Sequence, residues 1–262
     1  MNVIVALIFG LLLLGTAARA EDSIAVALAV KPQADILRGT ESTALIAQDR
    51  LFEGQTISTG PAGQVQVLFA DNTKMVVGPG STLLIQKILM QNDGTASSFA
   101  VKALGGKTRF LSGNSNKQAY KIATPTGSIG VRGTEFDFLV DPVTGETKVI
   151  LYGGQTIICA GNDDCVTLSE ICGIASTSSQ SAQVLGSARG AAGKNGFSYA
   201  GNQQPLLQTF RVDGASACAQ RVQQTFQSLI DAPPASAPEV VPPTNSNHPI
   251  THRMVDQASL AE

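Results

Sequence analysis

Hydrophobic and polar positions alternate in short runs from Val65 to Leu111, and turn residues separate the runs. In Gln64–Phe69, Val65, Val67 and Phe69 recur at the two-residue period of a strand and share one face. Asp71-Asn72, both tolerant of a left-handed backbone, predict a turn, and Lys74–Val77 a returning strand. Gly78-Pro79-Gly80-Ser81 predicts a second turn, followed by a strand over 82–89. Further breaks are expected at Asn92-Asp93-Gly94, Gly105-Gly106 and Ser112-Gly113-Asn114. Two more strands, Glu135–Val140 and 146–152, flank Asp141-Pro142-Val143-Thr144-Gly145, where Pro fixes the turn and Gly completes it. Gly153-Gly154 then leads to strands over 155–159 and 166–168. The spacing predicts a mainly β fold, an antiparallel β-sandwich or jelly-roll-like barrel, with a short β-roll or solenoid as the alternative.

The pattern changes after Ile174. Ser and Thr clusters and the small-residue run 186–193 predict a flexible Gly/Ser-rich excursion over 176–214, following an all-β domain over 21–175. Over 215–230, Cys218, Val222, Phe226 and Leu229 fall at near-helical spacing, which predicts an amphipathic helix packed on the sheet with Cys218 directed inward. Six of the chain's 12 prolines lie in 231–262, and that segment reads as a disordered tail.

The opening 20 residues follow a different rule. An apolar run from Val3 to Leu14 ends at Gly15 and is followed by Thr16-Ala17-Ala18-Arg19-Ala20, an Ala-x-Ala cleavage signal. Those 12 residues would reach about 18 Å as a helix, short of the roughly 30 Å of a hydrocarbon core. Residues 1–20 are therefore read as a signal peptide cut between Ala20 and Glu21, with an uncleaved anchor as the alternative and a periplasmic or secreted location as the consequence. No later stretch is apolar and long enough to predict an integral membrane segment after cleavage.

Export changes the reading of the cysteines. Cys159, Cys165, Cys172 and Cys218 form an even set, which in an exported chain predicts two disulfides. Four cysteines allow three pairings; the short loop Ala-Gly-Asn-Asp-Asp favours Cys159 with Cys165, leaving Cys172 with Cys218. A zinc site is the competing reading, but no paired Cys-x-x-Cys is present. The full chain has a formal net charge of −2, and loss of Arg19 makes it one unit more negative, so a nucleic-acid partner is not expected.

Three blocks carry a resemblance. The first runs from Glu53-Gly54-Gln55-Thr56-Ile57-Ser58-Thr59-Gly60 into 63–73, with Asp71 and Thr73 at its end. The second is Val77-Gly78-Pro79-Gly80-Ser81, and the third spans Ile122 to Phe136 through Thr124-Pro125, Gly130-Val131-Arg132-Gly133-Thr134 and Glu135. In this order the blocks resemble the FecR-like domain, named after the periplasmic regulator of ferric dicitrate uptake, over roughly Asp35 to Leu168. The resemblance implies an all-β periplasmic module that scaffolds or relays protein interactions, without known catalysis. Family members of the anti-sigma type carry a cytoplasmic domain and a membrane helix ahead of this module, whereas a leader stands ahead of it here. The chain thus resembles the stand-alone exported form.

Catalytic and ligand motifs are weak. Gly127 to Gly133 and Ala188 to Asn195 resemble phosphate loops only superficially, because one lacks a βαβ context and the other lacks the first glycine and the hydroxyl of a P-loop. His248 and His252 are four apart, but Pro249 lies between them, so metal binding is not expected. No Gly-x-Ser-x-Gly elbow occurs, and neither His lies in the predicted folded region, so neither an enzyme nor a cofactor is expected. Arg132 is expected to pair internally with Glu135 or Asp137, with a partner or anionic ligand contact as the alternative. The function expected is a non-enzymatic envelope module with an unidentified envelope protein as partner. The first alternative is a glycan-binding or carbohydrate-active protein, for which Tyr120, Tyr152 and Tyr199 would have to serve in a chain without Trp. The second is a sensor of outer-membrane receptor signalling that acts through a separate membrane partner.

Overall fold

The computed structural model describes residues 22–219. Strands follow in the order β1 (Ala25–Lys31), β2 (Ala34–Arg38), β3 (Glu41–Ala44), β4 (Arg50–Leu51), β5 (Thr56–Thr59), β6 (Gln64–Phe69), β7 (Lys74–Val77), β8 (Thr82–Met90) and β9 (Ala96–Leu111). They continue through β10 (Tyr120–Thr124), β11 (Gly127–Val131), β12 (Glu135–Val140), β13 (Thr147–Gly153), β14 (Thr156–Ala160), β15 (Cys165–Leu168), β16 (Gly173–Thr177) and β17 (Ala182–Ser187). Two short helices, α1 (Ser198–Gly201) and α2 (Asp213–Ala219), come last.

Pairing sorts the strands into two sheets that share one strand. Sheet A runs β4-β1-β6-β7-β9-β12-β13-β16-β17. Sheet B runs β3-β2-β5-β8-β9-β10-β11-β14-β15. Among the described residues, every pairing is antiparallel except β9 with β10. The sheet is therefore mixed, and it stays open with β4 and β17 at the ends of one half and β3 and β15 at the ends of the other. The sandwich form of the expectation holds and the barrel form does not.

β9 explains the architecture. Its first part pairs with β8 as far as Gly105, and its second part, from Gly106, pairs with β12 in the other sheet. Gly105-Gly106, expected as a break between strands, is instead a bend within one 16-residue strand. Gly106 has φ +92°, and a β-carbon there would sit 2.3 Å from Ser81 Oγ, so both conformation and space require glycine.

The bend turns the two sheets face to face over one core. Phe69 and Phe110 of sheet A meet Phe99 and Tyr120 of sheet B, with Phe69 to Phe99 centroids 4.8 Å apart and Phe110 to Tyr120 5.6 Å apart. Inward positions of both sheets, among them Val65, Val67, Ile57, Leu83, Ile129 and Ile158, complete the cluster. β-branched and aromatic residues fit these pleated, half-buried strands, and the two-residue period brings them to one side.

The outer face of sheet A is also apolar, and it is covered. Ile150, Tyr152 and Ile174 pack against Ala192, Phe197, Val212 and Ala215 of the segment that follows β17. Residues 176–214 are therefore not a loose excursion: they complete β16, form β17 and then cross sheet A with buried apolar side chains. The small residues that suggested looseness allow this close wrap, as where Gly214 lies against the Tyr152 carbonyl.

Helix α2 begins at Asp213, two residues before the expected start, and Cys218 is fully buried. The leader 1–20 with its cleavage site at Ala20 and Glu21, residues 220–230 of the expected helix and the tail 231–262 lie outside the described residues. Cys218 is bonded to Cys172 (S–S 2.09 Å), which ties the wrap to sheet A, while Cys159 is bonded to Cys165 (2.01 Å) across the β14–β15 hairpin. Among the described residues no helix is long and apolar enough to cross a membrane.

Loop-closure entropy grows with the closed length, so the two bridges should differ in their effect. Replacing Cys172 and Cys218 by Ser, a separation of 46, is expected to lower unfolding free energy by about 4 kcal/mol. The same change at Cys159 and Cys165, a separation of 6, is expected to cost about 2 kcal/mol. Urea denaturation of the two variants checks the order, and equal losses would contradict it.

Candidate functional site

The first two motif blocks meet where β5 and β7 end and β9 passes from one sheet to the other. Thr59 Oγ1 donates to the Gly78 carbonyl (2.6 Å) and accepts from Ser81 N (2.9 Å). Ser81 Oγ donates to the Lys107 carbonyl (3.0 Å) and accepts from Lys107 N (2.8 Å), just beyond the bend of β9. Gly80 N donates to the Gly60 carbonyl (3.0 Å), and Gly54 N to Ile85 O (2.8 Å). Thr59, Gly60, Gly78 and Ser81 thus hold the corner between the sheets, while Gly54 joins β8 at the far end of β5. They offer no free chemistry.

A second network surrounds the buried carboxylate of Asp71. It accepts from Thr73 N (3.0 Å), Thr73 Oγ1 (2.9 Å), Ser115 Oγ (2.6 Å) and Tyr120 OH (2.9 Å). Asn114 N donates to the Asp71 carbonyl (2.8 Å), so the 112–116 loop closes on the 71–73 turn. Gly113 is required at this contact, because a β-carbon would lie 2.3 Å from Asp71 O. Donors saturate the carboxylate and replace the water it lost on burial.

The third block occupies both ends of β11. Thr124 is buried and Pro125 exposed at the β10–β11 turn, where Thr126 Oγ1 donates to the Gly145 carbonyl (2.8 Å). At the other end Thr156 Oγ1 donates to Gly130 O (2.7 Å), and Arg132 N donates to Gln155 O (3.0 Å). Thr134 is buried, and its backbone exchanges hydrogen bonds with Ser112.

Arg132 itself is exposed and forms no ion pair among the described residues, so neither Glu135 nor Asp137 takes it up. Asp137 stands directly opposite Arg109 in the β9–β12 register and is engaged there. Arg132 instead borders a groove of about 580 Å³ with Lys117, Gln118, Gly130, Gln155 and Ile157. Lys117 passes so close to Gly133 (φ +73°) that a β-carbon there would lie 2.7 Å from Lys117 Cε, which sets Lys117 beside Arg132.

Under the wrap lies a charged cluster that the motifs did not announce. Fully buried Arg109 donates from Nε to Asp137 Oδ1 (2.6 Å) and from Nη2 to Oδ2 (3.0 Å), and its Nη1 bonds Gln203 Oε1. Tyr152 OH donates to Asp137 Oδ2 (2.8 Å), and the guanidinium lies 5.3 and 5.6 Å from the Tyr152 and Tyr199 ring centroids. Gln203 Nε2 donates to the Val212 carbonyl (2.9 Å) and Tyr199 OH donates to Gln64 Oε1 (2.9 Å). Burial opposes the Arg109 charge, but Asp137 outweighs it and holds the pKa above its ordinary value. A polar side chain at 64, 66, 109 and 137, each on the face opposite the core residues, was the signal available in the sequence.

Residues 55–155 match the family described as FecR protein. That stretch, 101 of the 262 residues, is similar to a FecR domain. The match begins one residue after Gly54 and ends at the strand before the first disulfide, so it contains the rest of the motif residues and the β9 bend. It leaves β1–β4, β14–β17 and the wrap outside. Two crystal structures of a candidate anti-sigma factor from Parabacteroides distasonis are similar to the chain at 14% identity, with TM-scores of 0.40 and 0.39. The likeness covers 50% of this chain and 57% of that one. No curated protein matches the sequence. The tyrosines that a glycan site would need, Tyr120, Tyr152 and Tyr199, are all buried.

Arg109→Met leaves Asp137 buried without its cation and is expected to cost about 3 to 5 kcal/mol, whereas Arg109→Met with Asp137→Leu is expected to recover most of it. Urea unfolding of the single and double variants tests this, and equal losses would refute it. Alkaline pH acts on the same cluster. Burial first, and Asp137 second, raise the Tyr152 and Tyr199 pKa values above 10.0. The unfolded chain then loses phenolic protons above about pH 10 that the folded chain keeps, so unfolding free energy falls with rising pH, by up to about 1.4 kcal/mol per unit for each tyrosine. Urea midpoints between pH 8 and 11 should show this slope, and Tyr152→Phe should make it shallower without abolishing it.

Proposed function

We propose that this chain is an exported, non-enzymatic FecR module that scaffolds or relays protein interactions at the envelope, with Arg132 as a contact for its protein partner. One observation carries the proposal. Most of the motif side chains are used inside the sandwich, while Arg132 stands exposed over the groove with no carboxylate paired to it among the described residues. A guanidinium in that position offers a planar fork to a partner's carboxylate.

The two disulfides support a periplasmic or secreted location, because such bonds persist in oxidising compartments. The leader pattern over 1–20 supports the same reading. Any signal sent to the cytoplasm would pass through a separate membrane protein.

A photo-crosslinker at Gln155 of the full exported chain tests the proposal in envelope extracts of the host. A discrete crosslinked protein is expected, and Arg132→Glu should reduce its yield about tenfold while leaving the urea midpoint unchanged. Absence of any product above the control under several growth conditions would reject the reading.

A further inference from the structure

The two faces of the sandwich are finished differently. Sheet A is covered by the wrap, whereas the outer face of sheet B carries no covering segment among the described residues. Register and burial fix which side chains stand on that face. Lys87 lies opposite Ala100, Ala100 opposite Lys121, Lys121 opposite Gly130, and Gly130 opposite Ile157. The neighbouring row is Leu84, Lys102, Ala123, Ser128 and Cys159. Inward partners such as Ile85, Phe99, Val101, Ile122 and Ile129 are buried, which confirms that these rows point outward.

Lys87, Lys102 and Lys121 therefore share one face with Lys117 and Arg132 at its end, and no outward position of β8, β9, β10, β11 or β14 in these rows is acidic. Carboxylates on this side lie outside these rows: Glu53 accepts from Ile88 N, Asp93 from Thr95 N and Asp164 from Ala182 N, Asp163 borders a groove with Lys121, and Asp35 of β2 stands in the row of Ser58 and Thr82. The chain as a whole is net negative, at −2, so this face is a local excess of positive charge. Between the cations lie small residues, and Leu89 and Leu104 are exposed.

The composition selects the occupant. Protein interfaces are depleted in Lys and enriched in aromatic anchors, and this face is lysine-rich with no aromatic side chain in its two rows. Long, separately mobile ammonium groups on one face suit mobile anions spread over a plane, and exposed leucines can enter the boundary beneath them. We infer that the outer face of sheet B docks the protein peripherally on a membrane surface through anionic phospholipid headgroups. This face adjoins the groove beside Arg132, with which it shares Gly130 and Ile157, and the test leaves Arg132 unchanged so that the two readings fail separately.

Flotation of the exported chain with vesicles of 30 mol% phosphatidylglycerol in phosphatidylcholine tests it. Binding is expected at about 50 mM salt and release at about 500 mM, since the attraction is screened. Each cation near an anionic surface is worth roughly fivefold in partitioning, so Lys87→Glu/Lys102→Glu/Lys121→Glu should weaken binding by more than about a hundredfold. Reversal of Lys31, Arg189 and Lys194, which stand off this face, should leave it within a few-fold. Far-ultraviolet circular dichroism checks that both variants are folded. Equal binding to pure phosphatidylcholine, equal loss in both variants, or no flotation of the unmodified chain would overturn the inference. Retention on immobilised polyglutamate without flotation would overturn it in favour of an acidic protein.

Discussion

A single strand that serves two sheets is the constraint from which the rest of the structure follows. Because β9 pairs with β8 and β10 before its bend and with β7 and β12 after it, the sheets cannot slide apart without breaking one continuous backbone. Its inward residues, Phe99 and Phe110, lie on opposite sides of the bend and bring both sheets to one aromatic core. The bend needs room for Ser81 against Gly106, and Ser81 is held by Thr59. Residues that look like a recognition motif are in this way the joinery of a corner, and their spacing in sequence reflects three chain segments that must reach the same point.

The alternation of Val65, Val67 and Phe69, the turn at Asp71-Asn72 and the hairpin of β12 and β13 were legible because each depends on neighbours in sequence. Asn72 does adopt a positive φ, of 66°. The bend of β9 was misread as a loop because paired glycines mark a chain break and a sharp mid-strand turn equally well; only the partner strands distinguish them. Strands β1 to β4 precede the clearest periodicity and take their place from pairing with β5 and β6, which no local pattern encodes. The wrap over 188–219 was hidden for another reason. Its Gly and Ala content suggests looseness, yet small residues are what allow a segment to lie flat on a sheet.

The site was less legible than the fold. The sequence leads one to expect Arg132 to pair with Glu135 or Asp137, but it pairs with neither, and the cross-strand register gives Asp137 to Arg109, 28 residues away in sequence. Proximity along a chain is a poor guide where a turn intervenes, since β11 and β12 belong to different sheets. The same register leaves Arg132 exposed, so one pairing accounts for both the buried cluster and the exposed cation.

Charge treatment separates the two outer faces. On sheet A, Arg109 is neutralised by Asp137, flanked by Tyr152 and Tyr199 and sealed by Gln203 of the wrap, with Cys172–Cys218 anchoring the cover. On sheet B, Lys87, Lys102 and Lys121 have no opposed carboxylate in their rows and no cover among the described residues. A buried cation must be paired within the molecule because desolvation is costly, but a solvated lysine keeps its charge at little cost until an external anion approaches. The covered face thus stabilises the sandwich through contacts made once, at folding. The bare face keeps its charge unsatisfied, and that difference leaves it open to an external anion.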